Sequence, residues 1–414
     1  MIVFKTQFNN PKLLQLKTFM LRQIIKQKAE EQFNSIVEVR RHLHKHPELS
    51  FNEHKTSAYV AEQLDKAGIP YKNKIAGTGL VALIEGKNAS KKIIALRADM
   101  DALPIQEAND VPYKSVNDGV MHACGHDVHT SSLIGAGKIL SELKSQFEGT
   151  VKLIFQPAEE KLPGGASLMI KEGALENPKP SGIIGQHVMP LIETGKVGFR
   201  SGVYMASTDE IYVTVKGKGG HGAMPHLNID PVLITSHIIV SLQQIVSRNA
   251  NPTMPSVLSF GKVIANGATN VIPNEVYLEG TFRTLDEKWR NDAHDKMKAM
   301  AEQIAKAMGG ECEFNIKRGY PALINEEKIT ARSRSYAVEY LGKENVVDLD
   351  IWMAAEDFAF YSQIADACFY RLGTRNEARG ITSSVHTPTF DVDEDALKTG
   401  MGLMAYLALK ELGN

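Results

Sequence analysis

The first 200 residues alternate between segments with helical periodicity and short segments that are apolar at almost every position. Apolar residues recur at helical spacing in residues 20–46, 53–68 and 128–146. The short apolar segments are residues 79–84, 93–97, 150–155 and 183–188. Strands that are apolar on both faces are typical of parallel sheets covered by helices. This region therefore predicts a largely parallel sheet with helices on both sides.

The pattern changes near residue 205. Four segments then alternate apolar and polar residues, namely 211–217, 256–265, 275–284 and 311–317. Such alternation predicts an antiparallel sheet with one covered face. Two segments with helical periodicity lie between these strands, at 231–248 and 286–308. After about residue 318 the first pattern returns, with a strand near 367–372 and a last helix near 392–412.

These patterns predict two domains, the second inserted into the first, which suits a chain of 414 residues. Residues 20–204 and 318–414 are expected to form an α/β domain with a largely parallel mixed sheet. Residues 205–317 are expected to form an α+β domain with an antiparallel sheet. We treat residues 1–19 as an N-terminal appendage outside both domains.

The amino-acid composition of the chain argues against some classes of binding partner. The 47 basic and 48 acidic residues leave a net charge of −1, which argues against a nucleic-acid partner. The three cysteines are far apart and suggest no disulfide framework, so a reducing compartment fits best. No segment approaches the ~18 consecutive apolar residues of a membrane span, and the N-terminal residues contain no apolar core of a signal peptide. We expect a cytoplasmic protein with no membrane partner.

The segment 121–130 carries the densest group of metal-ligating side chains. Cys124 and His126 are two residues apart, just before a predicted helix. In an extended loop residues two apart point the same way, so a thiolate and an imidazole can converge on one metal ion. The glycine between them allows a close backbone approach.

Further candidate ligands follow the predicted strands. Glu159 and Glu160 come just after strand 150–155, His187 ends strand 183–188, and His386 lies near the C-terminus. The carboxyl ends of buried strands are the usual ligand-binding edge of an open α/β sheet. One glutamate can bind metal while the other transfers protons. Five ligands exceed what one tetrahedral ion uses, so two ions that share a ligand, and hydrolytic chemistry, are predicted.

Each of these residues also has a structural explanation when taken alone. A lone cysteine is commonly a buried structural thiol, and a lone histidine is commonly a core residue. A pair of adjacent glutamates commonly lies on the solvated surface. Their joint placement at successive strand ends favours a metal site. By contrast, His42, His44 and His46 are expected to have surface or packing roles. Asp99, Asp101 and Asp127 are at most expected to orient ligands.

Ten segments in order from residue 40 to the C-terminus resemble those of a known family. They are RRHLHKHPELSF (40–51), RADMDALP (97–104), MHACGHDVHT (121–130), FQPAEE (155–160), GQHV (185–188), GKGGHGAMPH (217–226), GATNVIPNE (267–275), GTFRT (280–284), AAEDFAFY (354–361) and VHTPTFDVDEDAL (385–397). The chain resembles the dinuclear-metal amidohydrolase and carboxypeptidase family, in the branch of aminoacylases, hippurate hydrolases and indole-acetyl-amino-acid hydrolases. The resemblance implies a catalytic α/β domain and an inserted lid and dimerisation domain.

The resemblance also implies roles for individual residues. The implied metal ligands are Cys124, His126, Glu160, His187 and His386, with Cys124 bridging two divalent ions. Glu159 matches the general base, which takes a proton from a water that the two ions activate for attack on the amide. His221 matches a residue that holds the substrate carbonyl oxygen, often across a dimer interface. Asn270 and Arg283 match positions near the substrate carboxylate.

The expected activity is metal-dependent hydrolysis of an N-acyl-L-amino acid with an acetyl, benzoyl, indole-acetyl or similar acyl group, by a homodimer. The donor set accepts Mn, Zn, Co or Ni, and the sequence does not choose among them. Three alternatives stay open at this point. The first is a dipeptidase or carboxypeptidase that acts on short peptides, and the second is a cysteine hydrolase with Cys124 as nucleophile. The third is a non-catalytic binding protein, which loss of Glu159 or of a ligand would favour, and neither is lost.

Overall fold

The computed structural model describes residues 11–413. Its α-helices are α1 (Pro11–Lys45), α2 (His54–Lys66), α3 (His126–Leu143), α4 (Gly165–Lys171), α5 (Pro231–Gln244), α6 (Glu287–Ala307), α7 (Glu327–Leu341), α8 (Ala359–Ser362) and α9 (Ala396–Leu412). Short 3-10 turns cover Pro225–Leu227, Lys343–Asn345 and Glu377–Arg379, and a π turn, Ile245–Asn249, continues α5. No helix among residues 11–413 is long and apolar enough to cross a membrane.

Sixteen strands accompany these helices in the described part of the chain. They are β1 (Tyr71–Ile75), β2 (Gly79–Glu85), β3 (Ile93–Asp99), β4 (Thr150–Gln156), β5 (Ile183–Glu193), β6 (Val197–Phe199), β7 (Gly202–Met205), β8 (Asp209–Lys216), β9 (Gly220–His221), β10 (Ser256–Ile264), β11 (Val271–Ile272), β12 (Glu275–Thr284), β13 (Glu311–Arg318), β14 (Leu323–Asn325), β15 (Val346–Asp348) and β16 (Ala367–Arg375). The chain divides into two compact units. The first comprises the residues up to Gly202, then Asn325–Asp350 and Phe360 onward, and the second comprises Val203–Ile324 and Ile351–Ala359.

The first unit is built on an eight-stranded sheet in the order β1-β2-β4-β3-β5-β16-β6-β15. Four neighbouring pairs are parallel, namely β3–β4, β3–β5, β5–β16 and β6–β15. The other three, β1–β2, β2–β4 and β6–β16, are antiparallel. Every position of β4 is buried, as expected of a strand covered on both faces. The predicted largely parallel mixed sheet is confirmed.

Helices α1, α3 and α9 pack together and share one apolar core with the sheet. The core draws on Ile36 of α1, Leu133 of α3 and Met401 of α9, together with Leu153 of β4, all of which are buried. Because β3, β4 and β5 are parallel to one another, their carboxyl ends meet at one edge of the sheet, and α3 begins beside that edge. This edge holds the polar cluster described below.

The second unit contains a four-stranded antiparallel sheet in the order β10-β12-β8-β13. Burial alternates along β8 at every residue, and α5 and α6 pack on the covered face. Ile238, Phe282 and Met297 are among the residues of this separate core. The predicted antiparallel sheet with one covered face is confirmed.

Some element boundaries differ from those the sequence predicts. Helix α1 begins at Pro11 rather than at residue 20, so residues 11–19 of the predicted appendage are helical, while residues 1–10 lie outside the described residues. The periodicity did not reveal β1, which has no fully buried position and pairs with β2 at the sheet edge. It also missed α7, whose buried face includes Thr330 and Ser333 as well as apolar residues. A strand or helix that buries few apolar side chains leaves a weak pattern.

Candidate metal centre

A sharp turn at Gly125 brings Cys124 and His126 together. Gly125 has φ +82° and precedes α3, whose first residue is His126. The extended loop expected at this point is therefore wrong, because a left-handed glycine reverses the local chain direction. A Cβ atom at Gly125 would lie 2.5 Å from Cγ2 of Val188, so the position also lacks space for a side chain. Cys124 and His126 converge through this turn.

One ring nitrogen of His126 is held by Asp101, and the other forms no hydrogen bond but lies 3.9 Å from Oδ2 of Asp99 and 3.9 Å from Oε1 of Glu160. Its Nδ1 lies 2.9 Å from the carbonyl oxygen of Asp101 and 3.2 Å from Oδ1 of the same residue. Its Nε2 is buried, and no described residue forms a hydrogen bond with it. A histidine that donates through one nitrogen and directs the lone pair of the other into a polar cluster is arranged as a metal ligand. This unpartnered nitrogen shows that the site fits a metal ion.

The thiol of Cys124 lies between two further imidazoles. Its Sγ is 3.4 Å from Nε2 of His187 and 3.3 Å from Nε2 of His386. Nδ1 of His187 donates to the carbonyl oxygen of Val188 at 2.8 Å, which leaves its Nε2 as the nitrogen that faces the sulfur. Oε1 of Glu160 lies 3.2 Å from Nε2 of His386. The structure thus brings together all five side chains that the sequence suggests as ligands.

The potential ligand atoms fall into overlapping groups. Cys124, His126 and His187 form one group in which the ligand atoms lie within 4.8 Å of one another. A second group of the same tightness contains Cys124, Glu160 and His386. Cys124 is common to both, which is the arrangement that a bridging ligand between two ions requires. Glu159 lies beside this pair, in a further group with His126 and Glu160.

Burial and mutual contact shift the pKa values of the cluster in the metal-free protein. Burial, reinforced by the Glu160 carboxylate, raises the pKa of the Cys124 thiol. Hydrogen bonds with Cys124 and with Glu160 raise the pKa of His386 to about 10. Burial lowers the pKa of His187 well below its usual value, and the nearby Arg371 lowers it further. A cation bound at these groups would compete with protons for the same atoms.

The buried carboxylate of Asp101 forms hydrogen bonds with three of the candidate site residues. Its Oδ1 accepts a hydrogen bond from the backbone N–H of Glu159 at 3.0 Å, and its Oδ2 accepts one from that of Glu160 at 3.0 Å. Ser50 donates to Oδ2 at 2.6 Å, and His126 faces Oδ1 as described above. One buried carboxylate therefore orients a histidine and both glutamates, as the sequence suggested for an orienting residue.

Two supporting residues escaped the sequence analysis. His129 donates from Nδ1 to Asp99 at 2.6 Å and accepts from the backbone N–H of Val188 at 2.9 Å, so it links the end of β3 to the part of β5 that carries His187. Because β5 continues to Glu193, the prediction that His187 ends its strand is wrong. Glu53 accepts from the backbone N–H of Ala158 at 2.8 Å and so fixes the turn before Glu159. Neither has a distinct signal, because Glu53 stands where a helix begins and His129 is one histidine among several.

The three predicted substrate-side residues lie in the second unit. His221 of β9 pairs with Val271 of β11, and the backbone N–H of Gly222 donates to the carbonyl of Asn270 at 2.8 Å. His221 and Asn270 thus belong to one exposed two-stranded ribbon. Arg283 lies on β12 opposite Val257, and its guanidinium donates to the carbonyl of Met353 at 3.3 Å.

Comparison with known proteins gives consistent matches over nearly the whole chain. The model of peptidase family M20/M25/M40 matches residues 95–410. The putative amidohydrolase YhaA of Bacillus subtilis is 41% identical over 389 residues, which are 94% of this chain and 98% of that protein. The N-acyl-L-amino acid amidohydrolase of Geobacillus stearothermophilus is 41% identical over 309 residues, which are 75% of this chain and 83% of that protein.

A solved structure agrees with these sequence matches. The YXEP protein of Bacillus subtilis, described as a dinuclear metal binding peptidase of the M20 family, superposes with a TM-score of 0.80 at 34% identity. The match covers 93% of this chain and 99% of that chain.

Proposed function

Because the chain belongs to peptidase family M20/M25/M40 and is a metal-dependent hydrolase of that family, we propose that it hydrolyses the amide bond of N-acyl-L-amino acids. The acyl group is acetyl, benzoyl, indole-acetyl or similar. The observation that carries this proposal is the pair of ligand groups that share Cys124, with Glu159 beside them. The relative from Geobacillus stearothermophilus, which is named for this activity, supports the substrate class.

The proposed cofactor is a pair of divalent ions, Mn, Zn, Co or Ni. Cys124, His126, Glu160, His187 and His386 would hold them, and Cys124 belongs to both groups of potential ligands. The relative described as a dinuclear metal binding peptidase supports the number of ions. Thiolate, imidazole and carboxylate together suit all four metals. When bound, such ions lower the pKa of water and polarise a carbonyl group.

Glu159 is proposed as the general base. Its backbone is fixed by Asp101, and its side chain is buried next to the ligand atoms of His126 and Glu160. A carboxylate in this place takes a proton from the attacking water on one of its oxygens. It then passes the proton to the nitrogen of the leaving amino acid. Glu160 faces His386 and is proposed as a metal ligand. The two neighbouring glutamates thus have different roles, one as the base and the other as a ligand.

His221, Asn270 and Arg283 are proposed to bind the substrate. His221 donates to the carbonyl oxygen as negative charge develops on it, in its own or the partner subunit's site. Arg283 and Asn270 recognise the carboxylate of the amino acid. Among the described residues no carboxylate lies within ion-pair distance of the half-buried Arg283, so its guanidinium is available to an anionic substrate.

The protein is proposed to act as a homodimer formed through the second unit, which would be the lid and dimerisation domain. Helix α5 exposes Leu233 and Val240, and the edge strand β10 exposes Val257, Val263 and Ile264. A second copy with the same surface covers these apolar side chains and pairs the open strand edge. A cytoplasmic location is proposed because Cys124, Cys312 and Cys368 are all unpaired thiols.

Peptide hydrolysis is the second candidate, since the relative of known structure is described as a peptidase. The test is a panel of N-acetyl, N-benzoyl and indole-acetyl amino acids together with dipeptides. Each substrate is assayed with metal-stripped protein and after addition of Mn, Zn, Co or Ni. The expected result is hydrolysis of N-acyl amino acids that depends on added metal and that exceeds dipeptide hydrolysis.

Substitution of the base completes this test. Glu159→Gln should lower hydrolysis by about 10²- to 10⁴-fold with metal content unchanged. The matched control Glu85→Gln, at an exposed carboxylate at the end of β2, should match the wild type. Hydrolysis that survives metal removal but not thiol alkylation would instead identify Cys124 as a nucleophile and reject the proposal.

A further inference from the structure

Two basic side chains on one face of α1 are completely buried. Arg40 and His44 are four residues apart, and each has no solvent exposure. Nε of Arg40 donates to Oδ2 of Asp127 at 2.8 Å, and Nδ1 of His44 donates to the same oxygen at 2.9 Å. Nε2 of His44 lies 3.1 Å from Oε1 of Glu107. A ring that faces a carboxylate through each nitrogen donates from both and is held as an imidazolium.

The cluster joins the two cations to the buried carboxylates of Asp127 and Glu107, and Arg40 also pairs with the partly buried Asp391 and Glu394. Replacing such a buried cluster by apolar residues of similar volume is often neutral or stabilising, because desolvation offsets the attraction between the charges. Its contribution to folding therefore does not explain its presence in the core. A fully satisfied polar network instead fixes the relative geometry of the segments that it joins.

One arm of the cluster reaches the start of α3. Asp127 follows the candidate ligand His126 directly, and both residues lie in the first turn of that helix. Arg40 and His44, both on α1, donate hydrogen bonds to the Asp127 carboxylate. The first turn of α3 is thereby tied to α1, while Asp101 contacts the His126 ring itself.

The other arm reaches the segment that carries His386. A guanidinium nitrogen of Arg40 donates to Oδ1 of Asp391 at 3.0 Å, and the hydroxyl of Tyr113 donates to Oδ2 of Asp391 at 2.9 Å. Asp391 lies five residues after His386. The backbone N–H of His386 in turn donates to the carbonyl of Ala123 at 2.7 Å. The segment is therefore fixed at one end by the Cys124 loop and at the other by Arg40.

We propose that Arg40 and His44 are positioning residues of the metal centre. Through Asp127 they orient His126, and through Asp391 they hold the segment of His386, so that ligands of both proposed ions depend on one face of α1. This inference rests on the proposed metal-dependent function. It adds residues that form hydrogen bonds with carboxylates rather than with the proposed ligands.

The test uses conservative variants of the full chain and Co²⁺ as the probe. Arg40→Lys keeps the positive charge but loses the planar guanidinium group with its several donors. Asp127→Asn keeps the shape of the side chain but loses its negative charge. Metal-free protein is titrated with Co²⁺, whose ligand-field and thiolate-to-metal charge-transfer bands report affinity and ligand geometry. Both variants should remain folded, bind Co²⁺ about 10- to 100-fold more weakly and show altered bands.

The matched controls come from another ion pair of the first unit. Arg332 of α7 donates to both carboxylate oxygens of Glu411 at 2.9 and 2.8 Å, and Glu411 is buried. Arg332→Lys and Glu411→Gln should leave the Co²⁺ affinity and spectrum unchanged, whatever their effect on thermal stability. This comparison separates a positioning role from a general loss of packing.

Two outcomes would overturn the proposal. One is wild-type Co²⁺ affinity and spectra in the folded Arg40 and Asp127 variants. The other is loss of folding in every conservative variant, which would make the cluster a structural element. A wild-type protein that binds Co²⁺ but cleaves none of the test amides would refute the proposed function and leave the positioning role intact.

Discussion

Gly125 shows how one residue decides the shape of the candidate metal centre. Its positive φ lets the chain turn between Cys124 and His126, and its lack of a side chain admits Val188, which follows the candidate ligand His187. An L-residue in the left-handed region costs about 1–2 kcal/mol. Three candidate ligands thus depend on a glycine that binds nothing.

Gly125→Ala is therefore expected to weaken metal binding as well as stability. The alanine methyl group would add a clash with Val188 to the backbone strain, and relief of this clash requires the turn or Val188, the neighbour of His187, to move. Metal affinity of the stripped protein and the free energy of unfolding are the quantities to measure.

Gly119→Ala is the matched control for this variant. Gly119 has φ +72° and no atom within 4 Å of the Cβ position, so it incurs the strain without the contact. Both variants should lose about 1–2 kcal/mol of stability from strain, and only Gly125→Ala should bind metal more weakly. Equal metal affinities in the two variants would show that the turn does not set the ligand geometry.

At the scale of elements, Asp209 ties α6 to the start of β8. Its carboxylate accepts from Arg290 at 2.9 and 2.6 Å and lies 2.6 Å from Nε2 of His294. Burial alone would raise the pKa of Asp209, but the hydrogen bonds from His294 and Arg290 outweigh it and hold the pKa at about 2. In the unfolded chain the same carboxyl titrates near 3.8.

This shift predicts the direction of a pH effect. The depressed pKa of Asp209 stabilises the folded state fully above pH 4, and this contribution is lost as the pH falls towards 2, because the unfolded chain binds the proton first. Asp209→Asn should be about 1–3 kcal/mol less stable at neutral pH, since Arg290 loses its charged hydrogen bonds to Asp209 but keeps those to Glu287. The difference from the wild type should narrow between pH 4 and pH 2.

Denaturant unfolding of metal-free protein at several pH values measures this difference. Asp118→Asn serves as the control, because Asp118 is exposed and should leave the pH profile unchanged. A stability difference for Asp209→Asn that stays constant from pH 6 to pH 2 would contradict the role assigned to the buried carboxylate.

At the scale of the whole molecule, the proposed homodimer makes a prediction about surface chemistry. Val240 on α5 is 73% exposed and belongs to the apolar surface of the second unit. Val240→Glu places a charge where a partner subunit would bury it, which should shift the protein from dimer to monomer. The molar mass, measured by light scattering over a range of concentrations, reports the change.

Leu191→Glu provides the comparison for this prediction. Leu191 is 75% exposed but lies on β5 of the first unit and is not part of the proposed dimer surface. The Leu191→Glu variant should remain dimeric. If both variants are monomers, or if both are dimers, the proposed surface is not the dimer interface.

The amino-acid sequence determined the architecture and the chemistry of the site. The two periodicities distinguished a covered mixed sheet from an antiparallel sheet with one open face, because burial imposes a period on each strand and helix. The residue types at the strand ends supplied the thiol, imidazole and carboxylate donors of the proposed ions. Cys124, Glu160 and His187 are far apart in the chain, yet their positions just before a helix, just after a buried strand and near the end of a predicted strand were enough to suggest that they meet.

Only the tertiary structure decided how these donors are held. Asp101 and Glu159 are 58 residues apart, and Arg40 and Asp127 are 87 apart. No local pattern records such contacts, because they arise when separate elements pack. The turn at Gly125 and the burial of His44 were not predicted because both depend on neighbours from other elements, namely Val188 at the turn and Asp127 and Glu107 around the histidine. Local spacing fixes which side chains reach an edge of the sheet, and packing fixes which atoms they finally meet.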